Sequence, residues 1–434
     1  MLKAGCSGRA DRGPGMSIGG RRVDDSPHAI AADPTVDRQA TTNTAGSAGG
    51  RLPTIFLAGV IACLVLPLLQ TLHPIFGTIV RPVEERRTAN PLPSPRLLLQ
   101  GSGDFAVALN KWFDDRVGFR DLFIRAKNQI DYSIFSTSRK VYIGSSGWLF
   151  DRHDPGLAVE RLDTAAFAAL EASFLALARR LHEKGVRLIV IGYPDKARIY
   201  PAMLPPEAPL PPRGGNADKL RQFLSRQSAL TFIDAEAIFR REQSTTTDPL
   251  YFKTDLHANE VAQLPVVEEI VAQIARAEDR PDIHWDEKFE QAVRKMGYGS
   301  DGRALSLLLP VYEYVRYFKG VYTIGGDEPD GYWNVPDRRV FDSADDGVGR
   351  PFDWEFRSRP ELCKQRLPGM VIFGNSFSDY YWKLGLHRYF CFIRRARDPI
   401  SRFPLFFDTM PEDTKYFIFE YYLPWVTVDA PPAN

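Results

Sequence analysis

The chain has 434 residues and a formal net charge of +1, with 44 % hydrophobic and 25 % charged residues. That length implies about two domains, or one domain with large additions, of ordinary globular composition. A near-neutral balance gives no electrostatic reason to expect nucleic acid as a partner, and four widely separated cysteines do not fit a zinc or iron–sulfur framework.

Residues 1–52 are rich in Gly, Ala, Ser, Asp and Arg and lack apolar periodicity, so a disordered tail is expected, with Met16 as an alternative start. The run from Leu52 to Gly77, LPTIFLAGVIACLVLPLLQTLHPIFG, carries no charge. It meets the roughly 20 apolar residues that a membrane helix needs. A small-x-small cleavage site is missing, so an uncleaved anchor over residues 53–77 is expected rather than a signal peptide. Six arginines in the tail favour the N-terminus inside, although Arg81, Arg86 and Arg87 weaken the bias.

Residues 78–140 read as a connector and helical stalk. EERRTANPLPSP is polar and proline-bearing. Asp104 to Phe135 then reads as one helical stretch, with Phe105, Leu109 and Trp112 on one face and Phe119, Phe123 and Ile130 further along. The main domain is expected over 141–430. GSSGWLFD, from Gly144 to Asp151, predicts a turn and a buried aromatic patch that includes Trp148. Phe167, Leu170, Phe174, Leu177 and Leu181 recur at helical spacing, and Gly185 stops that helix.

Short β-branched apolar runs predict buried strands at Val186 to Tyr193, Leu230 to Ile233, Met370 to Phe373 and Tyr416 to Phe419. Helical segments such as Glu260 to Ile274 separate several of them, which implies a parallel sheet covered on both faces. Between about 277 and 350 the pattern breaks into aromatics, glycines and turn pairs, and a β-rich insertion is expected there. Cys363 and Cys391 share the folded region and are either a disulfide or two buried thiols.

MVIFGNSFSDYY, from Met370 to Tyr381, runs an apolar strand into Gly-Asn-Ser with a helix expected after it. Ser376 therefore falls at the carboxyl end of a strand, where open α/β sheets bind ligands. Amides at a helix start suit an oxyanion. Alone, the pattern also fits a turn with a capping serine. A serine nucleophile needs a base. LYFKTDLHANE, from Leu250 to Glu260, places Asp255 and His257 two residues apart at what reads as a strand-to-helix transition. The other histidines of the domain, His153, His182, His284 and His387, lack a carboxylate so placed at a strand end.

TDLHAN and FGNSFSDYY resemble the paired motifs of the AlgJ/AlgX-like alginate O-acetyltransferase family. Its members carry Asp-x-His and a later Gly-x-Ser-Phe/Tyr-Ser on an SGNH-hydrolase-like fold. The apolar segment, the EERRTANPLPSP connector, KWFDDRVGFRD, GSSGWLFD and YPDKARIYPAMLP follow in the family's order, so the resemblance runs from about Pro53 to Leu423. It implies a three-layer α/β/α SGNH-like domain with a mainly parallel sheet, preceded by one transmembrane helix. It also implies Asp255, His257 and Ser376 as a catalytic triad, rearranged relative to SGNH hydrolases in which serine comes first. Two departures stand out: Asn375 occupies a position often held by Asp, and DLHA lacks the tryptophan of DTHW-like motifs.

Asn375 and the Phe377 amide are candidates for the oxyanion site. Lys196, in PDKARIYP, is a substrate or positioning residue or else a solvated loop lysine. Tyr380, with Tyr200 and Tyr381, either lines a sugar groove or packs in the core. The expected function is transfer of an acetyl group to exopolysaccharide hydroxyls through an acyl-serine, without cofactor or metal. The resemblance implies a membrane-bound O-acyltransferase as acetyl supplier and an inner-membrane, single-pass protein whose catalytic domain is periplasmic. A polysaccharide acetyl esterase using the same triad, and a non-catalytic glycan-binding scaffold of an export complex, are the alternatives.

Overall fold

The computed structural model describes residues 51–73, 89–99, 103–152, 156–287, 327–328, 330–334, 351–397, 399–427 and 430–431. The tail before Arg51, most of the connector, His153 and most of the expected insertion lie outside the described residues. The chain divides into two compact units, Met1–Ala62 and Cys63–Asn434.

Helix α1 spans Arg51–Leu72. Within it, Pro53–Leu72 is a 20-residue segment long and apolar enough to cross a membrane, and none of it is buried. The single helix expected after the connector is two: α2 (Asp104–Asp114) and α3 (Arg120–Phe135). Apolar spacing continues across the break, which hides it from a periodicity argument. The cause is backbone geometry, because Phe119 has φ +63°, a left-handed conformation that no α-helix continues through. Gly118 beside it also lacks room for a side chain, since a Cβ there would stand 2.4 Å from the Pro67 carbonyl oxygen.

The remaining chain builds a two-stranded ribbon and one large sheet. The ribbon pairs β1 (Val141–Ile143) with β2 (Leu149–Asp151) antiparallel. Then come α4 (Thr164–Glu183), β3 (Arg187–Tyr193), α5 (Asn216–Ser225), β4 (Thr231–Asp234), α6 (Ala235–Thr245) and α7 (Glu260–Ala277). After these follow β5 (Asp327–Glu328), β6 (Gly331–Asn334), β7 (Trp354–Ser358), β8 (Gly369–Gly374), β9 (Phe392–Arg397), α8 (Phe403–Asp408) and β10 (Thr414–Tyr422). The sheet order is β4-β3-β10-β8-β9-β7-β6-β5. The β4 to β9 portion is parallel, and β7, β6 and β5 extend it antiparallel.

Side-chain alternation along the parallel strands sorts residues to two faces. Ile189, Ile191, Met370, Ile372 and Ile418 pack with α6 and α7 on one face. Leu188, Val190, Val371, Phe373, Phe417 and Phe419 pack with α4, α5 and α8 on the other. This is a three-layer α/β/α arrangement with a mostly parallel sheet. Each buried large side chain contributes about 1.5–3 kcal/mol, so the continuous apolar runs of β3, β8 and β10 make the centre of the sheet its most strongly held part.

Strands β3, β4, β8 and β10 lie within a few residues of the runs expected from sequence, whereas β7 and β9 do not fall on such runs, the FIRRAR text of β9 looking like a solvated stretch. Arg395 in that strand is nevertheless buried. Cys363 and Cys391 are joined in a disulfide, with Cα atoms 4.8 Å apart.

Candidate active site

Ser376 lies two residues beyond the last residue of β8, at the carboxyl edge of the sheet. The α-helix expected after it is a short 3-10 turn, Ser376–Tyr380, capped by Asn375. The Asn375 Oδ1 accepts the Phe377 N–H at 2.9 Å. The Phe377 amide is therefore engaged within the turn, and its ring is buried between Tyr193 (centroids 4.4 Å apart) and Tyr422 (5.2 Å). One donor beside Ser376 remains: among the described residues the buried Asn375 Nδ2 has no partner. The Ser376 N–H opens the turn next to it.

His257 and Asp255 lie in a tight loop, not at the end of a sheet strand. Tyr251 and Ala258 form an isolated antiparallel bridge. The Asn259 N–H donates to the Leu250 carbonyl at 2.8 Å, closing the loop just before α7. Asn259 then caps α7, accepting the Ala262 N–H. Inside the loop the Asp255 Oδ1 accepts the His257 backbone N–H at 3.0 Å and stands 2.6 Å from the ring Nδ1. The other ring nitrogen, Nε2, lies 2.5 Å from the Ser376 Oγ. Residues 119 positions apart thus meet at one rim, each within hydrogen-bond reach of the next. The His257 ring leans on the Phe377 ring, centroids 5.4 Å apart. Ser376 and Asp255 are buried, whereas the His257 side chain keeps 17 % of its surface exposed, which leaves the relay open to an incoming group.

Lys196 is neither solvated nor at the surface. Its Nζ stands within hydrogen-bond distance of four backbone carbonyls, among which its three N–H bonds are shared: Leu149 at 2.9 Å, Phe252 at 2.7 Å, Lys253 at 2.7 Å and Asp255 at 3.0 Å. Its ammonium also lies 4.8 Å from the Trp148 ring centroid. Burial pulls its pKa well below the usual lysine value, while the charges of Asp255 and Asp195 oppose that shift. The ammonium gathers the 252–255 segment around itself and so sets where Asp255 and His257 point. The Tyr251 hydroxyl adds a tie, donating to the Pro194 carbonyl at 2.7 Å.

Beneath the serine turn lies a charged layer that the sequence reading missed. Arg395 donates to the Asn375 carbonyl (2.8 Å) and to the Ser378 Oγ (3.2 Å). It also pairs with Asp353 (2.9 Å) and Asp379 (2.5 Å). Glu420 accepts the Ser378 N–H at 3.2 Å. Burial raises the Glu420 pKa to about 8 against the pull of Tyr381, Arg395 and the Ser378 amide, so at neutral pH this carboxyl is mostly uncharged. Gly374 makes room for it, since a Cβ there would stand 2.7 Å from the Glu420 Cβ. Charged residues inside strands carry no sequence signal of burial, and only pairing across the sheet reveals them.

Tyr381 is fully buried and shares a 2.7 Å hydrogen bond with Tyr193. Tyr200 packs against the core and takes the Leu250 N–H on its hydroxyl. The Tyr380 side chain lies outside what the structure describes. Among the described residues no cluster of three or more metal-type ligands occurs.

Residues 141–298 match the family model of the SGNH hydrolase-like domain of the acetyltransferase AlgX. Probable alginate O-acetylase AlgJ of Pseudomonas aeruginosa is 27 % identical over 200 residues, covering 45 % of this chain. The chain spans about half the length of that curated relative, 48 %. The O-acetyltransferase domain of Pseudomonas putida AlgJ superposes with a TM-score of 0.38 at 16 % identity, covering 66 % of this chain and 92 % of that one. Bacillus cereus PatB1 gives 0.40 at 10 % identity, covering 68 % and 99 %. Residues 141–298 thus match an SGNH hydrolase-like domain of the AlgX acetyltransferase type, and part of the chain is similar in sequence to the alginate O-acetylase AlgJ.

Proposed function

We propose that this chain is a serine-dependent O-acetyltransferase that moves an acetyl group to hydroxyls of an exopolysaccharide. The observation that carries this reading is the continuous contact from Asp255 through His257 to Ser376. His257 Nε2 takes the proton of Ser376 Oγ as that oxygen attacks the acetyl carbonyl, while Asp255 holds the Nδ1–H and stabilises the imidazolium. The Ser376 N–H and Asn375 Nδ2 receive the oxyanion. The imidazolium returns its proton to the leaving group, and Ser376 is left acetylated. An acceptor hydroxyl then gives its proton to His257 and attacks, which regenerates the serine. Lys196 keeps the base loop in place without touching the reacting atoms.

Homology to an alginate O-acetylase supports a polysaccharide acceptor. In this reading residues 53–77 anchor the chain in the inner membrane, 78–140 form the connector and stalk, and 141–430 form the periplasmic catalytic domain with its insertion near 277–350. A disulfide between Cys363 and Cys391 fits an oxidising compartment. A membrane-bound O-acyltransferase would deliver the acetyl group, as the resemblance to the alginate O-acetyltransferase family implies.

The test uses the purified full chain with an activated acetyl ester and an oligosaccharide acceptor. An acetyl adduct on Ser376 and acetyl transfer to sugar are expected. Ser376→Ala should lower turnover by about 10⁴-fold or more with the fold intact. Undiminished turnover in that variant would sink the proposal, and acetyl release to water without transfer would make the protein an esterase.

A further inference from the structure

Exposed apolar surface is unevenly distributed. Outside α1, every exposed large apolar side chain among the described residues except Leu210, Tyr332 and Leu405 falls between Leu92 and Phe135. On α3 the residues form a stripe: Phe123, Ile130 and Ile134 are spaced by seven and four, so they share one helix face. They are 56 %, 51 % and 69 % exposed. Large apolar side chains left exposed along one helix face mark an interaction site.

The structure also fixes what lies next to it. The Gly118 N–H, at the corner between α2 and α3, donates to the Thr71 Oγ1 at 2.7 Å, and that hydroxyl donates to the Pro67 carbonyl at 2.7 Å. Thr71 belongs to the last turn of α1. The 20-residue apolar segment ending at Leu72 is about 30 Å long at 1.5 Å per residue, the thickness of a bilayer's hydrocarbon core. The corner is therefore tied to the level where hydrocarbon gives way to headgroups. Trp112 lies in the turn before that corner with Arg116 over its ring at 5.3 Å, a pairing suited to the interface, where aromatic rings and snorkelling cations concentrate.

The clasp is built from the KWFDDRVGFRD segment itself. The Asp115 Oδ2 accepts both the backbone and side-chain N–H of Asn90 at 2.7 Å, and Arg116 donates to the Asn90 carbonyl at 2.6 Å. One side of the corner thus holds the connector and Gly118 holds the anchor.

We propose that α2 and α3 form an interfacial platform whose exposed apolar side chains, led by the Phe123–Ile130–Ile134 stripe, rest in the headgroup and upper acyl region of the bilayer that α1 crosses. The proposal rests on reading α1 as a membrane anchor. The platform would hold the stalk against the membrane surface and keep the catalytic domain at a set height above it. Continuity with the anchor selects lipid as the occupant over a second protein.

The test labels the full chain, in a Cys6→Ala/Cys63→Ala background, with a nitroxide at one introduced cysteine at a time: Phe123→Cys, Ile130→Cys, Ile134→Cys, Leu64→Cys within α1, and Leu210→Cys on the catalytic domain. The protein is reconstituted in vesicles of phosphatidylcholine and phosphatidylglycerol alone. Accessibility to oxygen is compared with accessibility to a water-soluble nickel chelate. Positions 123, 130 and 134 should show a several-fold higher oxygen-to-nickel ratio than position 210, and position 64 the highest. If position 64 is lipid-immersed while 123, 130 and 134 behave like 210, the platform is overturned and the anchor stands. If position 64 also reads as aqueous, both readings fall. Nickel shielding at 123, 130 and 134 that arises only on adding another membrane protein overturns lipid as the occupant.

Discussion

The two halves of the candidate site are held by opposite means. His257 and Asp255 sit on a loop gathered around one buried ammonium, with backbone carbonyls from Leu149, Phe252, Lys253 and Asp255 as its direct acceptors. Ser376 sits on the end of a central strand, above side chains that carry formal charge, with Arg395 tied to Asp353 and Asp379. The base half thus takes much of its shape from one buried lysine amine, with the Asn259–Leu250 bond and the Tyr251 tie beside it. The serine half inherits its position from the sheet and uses the charged layer to set the turn's fine geometry. Damage should therefore spread differently: a lesion at Lys196 should unfold a loop, while a lesion in the serine turn should alter chemistry with little loss of fold.

Beyond loss of Ser376 itself, the largest effect on turnover is expected at Lys196. Lys196→Met keeps the apolar stem nearly to its end and removes every donor, leaving four carbonyls in a buried pocket without their partner. Unsatisfied buried acceptors cost about 1–3 kcal/mol each when they find no substitute. A loss of about 3 kcal/mol or more is expected in chemical denaturation. Turnover should fall by about 10³-fold, short of the roughly 10⁴-fold seen when a triad carboxylate fails to orient its histidine. If Lys196→Met folded and turned over like the wild type, the loop would be held by something other than its ammonium.

Asn375→Ala should separate the halves further. It removes the Nδ2 donor beside Ser376 and the cap on the Phe377 amide, while leaving the β8 strand and the Arg395 contact to the 375 carbonyl in place. Loss of one oxyanion donor typically costs about 10²–10³-fold in kcat, and loss of a cap about 1 kcal/mol. The expected result is a kcat about 10²-fold lower, an unchanged KM for the acetyl donor and a small shift in midpoint. A fall in KM-dependent binding with kcat intact would place Asn375 on the substrate instead of the oxyanion.

The same contrast decides what could be read from the sequence. The relay was legible because its three residues sit in two short texts, TDLHAN and FGNSFS, at element boundaries. Strands β3, β4, β8 and β10 were legible because buried parallel strands are runs of apolar, often β-branched residues. The Tyr416 to Phe419 strand was cut short because Glu420 interrupts the run, yet β10 continues to Tyr422 with Glu420 buried. The same blindness hid β9, since three arginines in FIRRAR read as solvent-facing. Lys196 stayed undecided because a lysine in a loop has no sequence signature for the carbonyls it meets. The break between α2 and α3 was invisible because a left-handed Phe119 is fixed by contacts, not by its own preference.

Glu420 offers the sharpest test of the charged layer. The native protein holds this carboxyl's pKa at about 8, against an ordinary value of 4.5. Between those values the folded state keeps a proton that the unfolded chain has released. Stability from this group is then fully present below about pH 4.5 and declines as pH rises, with the loss complete once pH passes about 8. Glu420→Gln preserves the acceptor for the Ser378 N–H and cannot ionise. Its denaturation midpoint should change less between pH 5 and pH 8.5 than the wild type's, and the gap between the two proteins should move in the variant's favour as pH rises. Because Ser378 hydrogen-bonds back to the Asn375 carbonyl at 3.0 Å, a charge appearing on Glu420 also pulls on the turn that carries Ser376. Wild-type turnover should therefore decline above about pH 8 more steeply than that of Glu420→Gln. Parallel pH profiles for the two proteins, in both stability and rate, would show that the serine half is held by the sheet alone and that the charged layer plays no part in setting the turn.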